Sequence, residues 1–390
     1  MKQISRAAAV VAVLSGFSFS TSFAQAPSGE PIVIGVPIPI SGGSAEVGER
    51  SRRGAILAME EINAKGGILG RPLKLDIQDD KCDPAQGVSA VRKLMSQPEV
   101  AVLLGGACSS VVLAAMPIIK GNIAFLTSQA SSPAISKQAG VGGNEWMFRT
   151  NPPDDFAAAT IVEVMIKDHK KTKVVITAQN DEFGRGAAEG FKNAVEQQGG
   201  TVLGIEYFPV AGPYDFSSII TKFKARSPEA VIFAGTIESG VPMVKEMGTQ
   251  SMKLPIYGRG LPLVEATFKA IGPTLADGIH GADQWYAEVS EPKSREFAQK
   301  YEKRWGEAPR FNSFAMYEAL DVAKAAITSA GSTDRAKIRD AIAKTTYVSL
   351  TGVPMKFDAN NQAHNKIYVG RVNCSGGDCK VTVVGDRIQP

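Results

Sequence analysis

The sequence predicts an α/β protein of two doubly wound lobes, with a chain that crosses between them more than once. Three observations predict it. Short apolar runs alternate with amphipathic helical segments along most of the chain, the mark of parallel sheets covered by helices. The alternation halts at Asn151-Pro152-Pro153-Asp154 and then restarts. The 366 residues after Ala24 are too many for one ordinary core.

In chain order, Ile32 to Ile38 reads as a buried strand and Ser41 to Ser44 as a loop. Ala55, Ile56, Met59 and Ile62 recur at helical spacing within a helix from Arg50 to Asn63, ended by Gly66-Gly67. Leu73 to Ile77 alternates like a strand, and Gly87 to Met95 is helical. Val100 to Leu104 and Ile123 to Thr127 are buried strands, with a helix from Val111 to Lys120 between them. A loop then runs to Trp146. Past Asp154, helices are expected over 156–167, 186–198, 216–225, 241–247 and 263–270, and strands over 173–178, 201–208, 230–234, 254–257 and 278–282. From Ser294 the chain turns helical (294–305, 313–329, 335–343) before strands at 353–357, 367–372 and 381–384. Phe311 and Phe314, where the second of these helices starts, are candidates for a pocket wall, though such residues are more often core.

Two turns carry the chemistry. Gly105-Gly106-Ala107-Cys108-Ser109-Ser110 follows one strand, and Ser128-Gln129-Ala130-Ser131-Ser132-Pro133 follows the next. A serine at a helix start caps it, and the backbone N–H groups beside it attract an anion. Two such turns at the ends of neighbouring parallel strands face one crevice. The crevice is expected to bind a small anionic group, a carboxylate.

Composition bounds the rest. Lys2 and Arg6, the apolar stretch Ala7 to Phe19 and the small residues after it form a secretory signal peptide, with cleavage expected after Ala24. Its removal lowers the formal charge from +4 to +2, which gives no case for nucleic acid. No later stretch is long and apolar enough to cross a membrane, so an exported, soluble monomer is expected. Four cysteines in an exported chain suggest two disulfides, and four allow three pairings. Cys374 and Cys379 flank the turn Ser375-Gly376-Gly377-Asp378, and pairing them leaves Cys82 with Cys108. The alternative, metal ligation, has only His169, His280 and His364 to draw on, and no CxxC. Neither a metal nor any other cofactor is expected.

In order and spacing, several stretches resemble the periplasmic leucine/isoleucine/valine-binding protein family, the type I solute-binding proteins of ABC importers for hydrophobic amino acids and amides. They are Ile34-Gly35 to Ser41-Gly42, Glu61 to Pro72, Asp79-Asp80-Lys81-Cys82-Asp83-Pro84, the Gly105–Ser110 turn, Phe148-Arg149-Thr150 and Phe183-Gly184. The match covers nearly all of the mature chain. The resemblance implies a type I periplasmic binding protein fold whose two lobes are joined by a three-segment hinge, with crossings near 149–152, 282–285 and 352–354. Lobe 1 is then 25–149 plus 285–352, and lobe 2 is 150–284 plus 353–390. It also implies the Cys82–Cys108 disulfide, a membrane permease as partner and a periplasmic location. By position, Ser109 and Ser131 take the family's hydroxyl contacts to a ligand carboxylate, Ala107 and Gln129 its backbone contacts, and Phe183 the place of a lid aromatic, against a plain core role.

Two departures bear on the ligand. The family's first loop carries an aromatic, where this chain has Val47. The family also holds the ligand ammonium with a second-lobe carboxylate, where this chain has Arg259 between Gly258 and Gly260. A guanidinium suits an oxygen rather than an ammonium. Arg259 is expected to reach the ligand, to pair with Glu238 or to point to solvent, and Glu238 is also able to supply the ammonium contact. The expected ligand is a hydrophobic amino acid held differently or an amine-free, aromatic organic acid. On closure Phe183, Thr236, Glu238 and Arg259 come over it. The competing readings are a ligand sensor of the same fold and an exported serine hydrolase. The second lacks G-x-S-x-G, and its histidines stand in no catalytic context.

Overall fold

The computed structural model describes residues 26–261 and 263–389, with Glu265 and Ala266 as backbone alone. The signal peptide lies outside the described residues.

Five parallel strands form the first sheet: β1 (Ile32–Ile38), β2 (Leu73–Asp79), β3 (Val100–Gly105), β4 (Phe125–Thr127) and β5 (Met147–Arg149), in the order β2-β1-β3-β4-β5. The apolar runs of β1 and β3 are buried on both faces, as the inner strands of an all-parallel sheet require. Between them run α1 (Ala45–Ala64), α2 (Pro84–Met95), α3 (Ser109–Ile119) and α4 (Pro133–Gln138). Asp83 caps α2 through Gln86 N–H, with Pro84 at its first position. The short helix α4 occupies what the sequence suggests is a loop. α1 begins at Ala45 rather than near Arg50, so Val47 belongs to its first turn.

The second sheet repeats the arrangement. α5 (Asp154–Glu163) is extended by a wider π turn to Asp168, and then come β6 (Lys173–Gln179), α6 (Glu182–Gln197), β7 (Thr201–Phe208), α7 (Ser217–Ala225) and β8 (Ala230–Ala234). α8 (Ile237–Thr249), β9 (Ile256–Arg259), α9 (Glu265–Ile271), α10 (Pro273–Ala276) and β10 (His280–Asp283) complete it. The order β7-β6-β8-β9-β10 matches the first sheet strand for strand. An antiparallel hairpin is added beyond β10.

The chain then returns to the first sheet. α11 (Pro292–Trp305), α12 (Phe311–Ala330) and α13 (Arg335–Lys344) cover its outer face, where α12 is the central, mostly buried element. Phe314, Leu320 and Ile338 share one core with Ile34, Leu104 and Ala58, while α2 and α3 close the other face with Val91, Val112 and Met116. A ribbon of β11 (Thr346–Val348) and β12 (Pro354–Lys356) follows, and then β13 (Lys366–Ser375) and β14 (Asp378–Ile388), the hairpin on the second sheet.

The crossings are concrete. The first lies between Arg149 and Asp154, the second between Asp283 and Pro292. The third differs from the expected 352–354. Met355 and Ala363 pack into the first core, and Arg149 N–H donates to Asn361 O at 3.0 Å, so the chain joins the second sheet only near Lys366. The first and third crossings are tied by the Arg149 guanidinium, whose Nε donates to Gln362 Oε1 at 2.5 Å. In the second, neighbouring side chains go opposite ways. Trp285 stacks on Phe314 of the first half. Tyr286 lies over Gly281 and Gly370 of the second, a cross-strand pair where a Cβ would stand 3.1 and 2.9 Å from its ring system.

Candidate functional site

Both sheets point the carboxyl ends of their strands at one cleft of about 930 Å³. In each, the neighbours β1/β3 and β6/β8 mark the place where strand order reverses, the position at which open α/β sheets bind ligands. All eight residues expected at the site line this cleft: Ala107, Ser109, Gln129 and Ser131 from the first half, Phe183, Thr236, Glu238 and Arg259 from the second.

The first wall is built on backbone geometry. Gly105 and Gly106 turn the chain at φ 138° and 65°, and a Cβ on Gly105 would stand 2.7 Å from Pro37 O. The Cys82–Cys108 disulfide (Cα–Cα 5.6 Å) fastens this turn to the loop after β2. The second disulfide, Cys374–Cys379, closes the β13–β14 hairpin. The expectation that a serine caps each helix needs correction. Cys108 holds the cap position of α3 and makes no side-chain cap bond. Ser109 instead bridges the two turns, its Oγ accepting from Ser132 N–H at 3.1 Å. Only Ser132 caps, accepting from Ala134 N–H at the start of α4. Ser109 therefore keeps its own proton for a ligand.

Ser131 is engaged differently: its Oγ donates to Asp154 Oδ2 at 2.9 Å. The Gln129 side chain is held by Ser51 (2.8 Å) and Asn312 (2.7 Å). Arg149 Nη1 donates to Ser132 O at 2.8 Å and so fixes the second serine turn from behind.

The second wall is charged. Arg259 is 6% exposed, which removes the solvent-pointing alternative, and its partners are not Glu238. Nη1 lies 3.4 Å from Asp154 Oδ1 and Nη2 lies 4.0 Å from Asp283 Oδ1. These two carboxylates were not anticipated. Both stand where a crossing meets the second sheet, and a buried guanidinium in a nearly neutral crevice demands anionic company. Burial pushes the Asp283 carboxyl up to about 6, against the pull of Arg259. It raises Asp154 as well, while Arg259 and Ser131 oppose the rise. A Cβ on Gly260 (φ 66°) would meet Gly235 O at 1.8 Å, so the strand ends that carry Arg259 and Thr236 pack closer than side chains permit.

Thr236 occupies the cap position of α8 in a capping box with Ser239. Glu238, half-buried in the first turn of that helix, acts electrostatically on Arg310 of the opposite wall. Arg310 lies 3.4 Å from Glu46, which also binds Arg50 at 2.9 Å, and Arg50 reaches Glu307. This ion cluster at the first-half rim was missed because its members are scattered over 260 residues of sequence. Phe183 packs partly on the second core and also lines the cleft. Phe311 lines the cleft, and Phe314 is core.

Among the described residues lining the cleft there is no histidine. His169 and His280 stack with Tyr257 around the opposite end of the second sheet. His364 pairs with Asp358. Among the described residues no group of three or more His, Cys, Asp or Glu is placed to hold a metal, and no helix is long and apolar enough to cross a membrane.

A family model described as periplasmic binding protein matches residues 31–378. The Leu/Ile/Val-binding protein homolog 3 of Brucella melitensis is 30% identical over 320 residues, 82% of this chain and 84% of that protein. Two solved structures share the fold. The branched-chain amino acid transporter substrate binding protein LivJ of Streptococcus pneumoniae, in complex with isoleucine, has a TM-score of 0.79 at 23% identity and covers 91% of this chain and 100% of its own. A solute binding protein of an ABC transporter from Rhodopseudomonas palustris, in complex with 3,4-dihydroxybenzoic acid, has a TM-score of 0.81 at 19% identity, covering 92% and 98%.

Proposed function

The chain belongs to the periplasmic binding protein family, and from that premise we propose that it is the solute-binding component of an ABC importer of the branched-chain amino acid type, capturing a small carboxylate-bearing solute. Family membership implies a periplasmic location and a role as solute binder rather than enzyme. A membrane permease is then the partner, and the leader ending at Ala24 directs export.

The ligand carboxylate lies against the first wall, where the Ser109 hydroxyl and the N–H groups of Ala107 and Gln129 meet it. The second wall closes over the rest with Phe183, Thr236 and Arg259, to the extent that the ligand favours the closed form. The observation that carries the ligand class is Arg259. A buried guanidinium flanked by two carboxylates offers a donor beside an acceptor, which complements a neutral hydroxyl or carbonyl, and the two carboxylates are already engaged by Arg259 where an ammonium would need one to itself. An amine-free acid with a hydrogen-bonding group at its far end fits best. A hydrophobic α-amino acid is the second reading, favoured by Glu238 and Asp283 in the same cleft and by the name of the Brucella relative.

A thermal-shift screen of ligand-stripped protein tests this. A true ligand at about 100 times its Kd stabilises by ~2.7 kcal/mol. Aromatic acids such as 3,4-dihydroxybenzoate are expected to shift the transition and isoleucine is not. A shift by isoleucine alone transfers the ammonium to Asp283 or Glu238 and overturns the reading of Arg259.

A further inference from the structure

Ser131 and Asp154 meet across the first crossing through two bonds. Ser131 Oγ donates to Asp154 Oδ2, and Asp154 N–H donates to Ser131 O, each at 2.9 Å. Asp154 is 0% exposed. A hydroxyl has one proton to give. With Asp154 ionised, that proton faces away from the cleft, and a ligand carboxylate arriving at the second turn meets lone pairs. Ser109, its counterpart, presents a proton. The other Asp154 oxygen, Oδ1, makes no hydrogen bond, and neither does Arg259 Nη1, 3.4 Å away. The two turns are thus unequal in this state, and the inequality rests on one buried carboxyl.

We propose that Asp154 takes up one proton from solvent when a carboxylate ligand binds, so that Asp154 donates to Ser131 and Ser131 turns its own O–H to the ligand. The inference rests on the reading that the ligand carboxylate lies against the serine turns. No covalent bond other than O–H changes, and the proton comes from water or buffer. Asp154 becomes a positioning residue: it touches no ligand atom and sets the direction of a hydroxyl that does.

The charges facing Asp154 from each neighbouring element support this. Arg149 at the end of β5 and Arg259 at the end of β9 are positive. Asp283 at the end of β10 and the exposed neighbour Asp155 on α5 are negative, and the N-terminus of α5 itself favours an anion. The two buried guanidiniums balance Asp154 and Asp283. An anionic ligand adds an uncompensated charge to a desolvated place, and one proton on Asp154 restores the balance. Asp283 is the rival acceptor of that proton, but it has no bond to either serine.

Isothermal titration of the stripped mature protein with 3,4-dihydroxybenzoate and with isoleucine, from pH 5 to pH 8, is the test. Repeating it in buffers of different ionisation heat counts the protons. The expected result is a Kd that rises three- to tenfold per pH unit over part of this range, with up to one proton taken up per ligand. Asp154→Asn, whose amide donates to Ser131 at every pH, is expected to abolish the slope while keeping tight binding at pH 8. Ser131→Ala is expected to lose both affinity and slope, and Asp283→Asn to keep the slope. A flat Kd with no proton uptake overturns the linkage alone, as does a slope that survives Asp154→Asn or vanishes in Asp283→Asn. Should Asp154→Asn not fold, proton uptake in wild type that persists in Asp283→Asn supports the assignment, and uptake lost in Asp283→Asn overturns it. Binding of neither probe at any pH overturns the carboxylate reading itself, and the linkage with it.

Discussion

The two walls of the cleft have the same strand order and opposite chemistry. The floor of the first is neutral: glycine turns, a serine hydroxyl and backbone N–H groups, held by a disulfide. The second presents Arg259, Asp283 and Glu238. Topology brings both to the switch point and fixes none of this. The difference teaches that the shared strand order locates the site, while the residues after each strand assign separate tasks. One wall offers Ser109 and backbone N–H groups, donors that no pH change alters, beside Ser131, whose hydroxyl is tied to Asp154. The other carries ionisable groups.

The largest expected effect comes from breaking the charged wall. Arg259→Leu leaves Asp154 and Asp283 buried beside an apolar side chain, and unfolding by denaturant should show a loss of about 3–5 kcal/mol. Loss of only a few tenths would mean that the guanidinium is not what holds these carboxylates. Breaking the neutral wall should cost slightly less. Replacing Cys82 and Cys108 by alanine frees a loop spanning 26 positions and lowers stability by about 3 kcal/mol. The Gly105–Ser110 turn loses its anchor, so ligand affinity falls as well.

Ser109→Ala sharpens the contrast. It removes a donor to a charged group, about 2 kcal/mol or 10- to 100-fold in Kd, with an affinity loss that does not vary with pH. An unchanged Kd would remove Ser109 from the site. The smallest effect concerns the far end of the second sheet. Burial beside His169, Tyr257 and Arg371 pushes His280 down to about 4. Between pH 6.5 and 4 the unfolded chain binds this proton and the folded one does not, so its contribution is intact above 6.5 and is lost as pH falls. Wild type should lose about 1 kcal/mol relative to His280→Gln between pH 6.5 and 5.5. Comparing the two proteins cancels the opposite trend from Asp80 and Glu318, both raised to about 7 by burial and steadied by acidification.

Much of the fold was legible because its signals are local. The apolar runs of β1, β3 and β8 and the glycine–serine turns need no distant partner to be recognised. Four elements that the sequence did not reveal, α4, β5, β11 and α10, carry three to six residues each, too few for a period to show. The cleft was legible as a list of residues but not as a network. Ser109, Ser131 and Arg259 all line the cleft, yet their partners come from 23 to 105 residues away. Asp154 stands at a boundary, next to two prolines, where an acid reads as a plain helix-start residue. A sharper signal existed: a basic residue in a position expected to hold a carboxylate implies acids close by, and the crossings supply them. The third crossing was misplaced for a similar reason. Val353 to Phe357 looks like any other strand, and its packing, Met355 in the first core and Phe357 against Phe148, assigns it to the first half.

Trp285 and Tyr286 are adjacent, and each is anchored in a different half. A rotation of one half against the other must therefore be absorbed within the span of a peptide or two. The Arg149–Gln362 tie keeps the other two crossings from sliding past one another. Mechanically, such a joint bends readily and resists shear and torsion. Any closing of the cleft is thereby channelled into a single angle between two stiff plates.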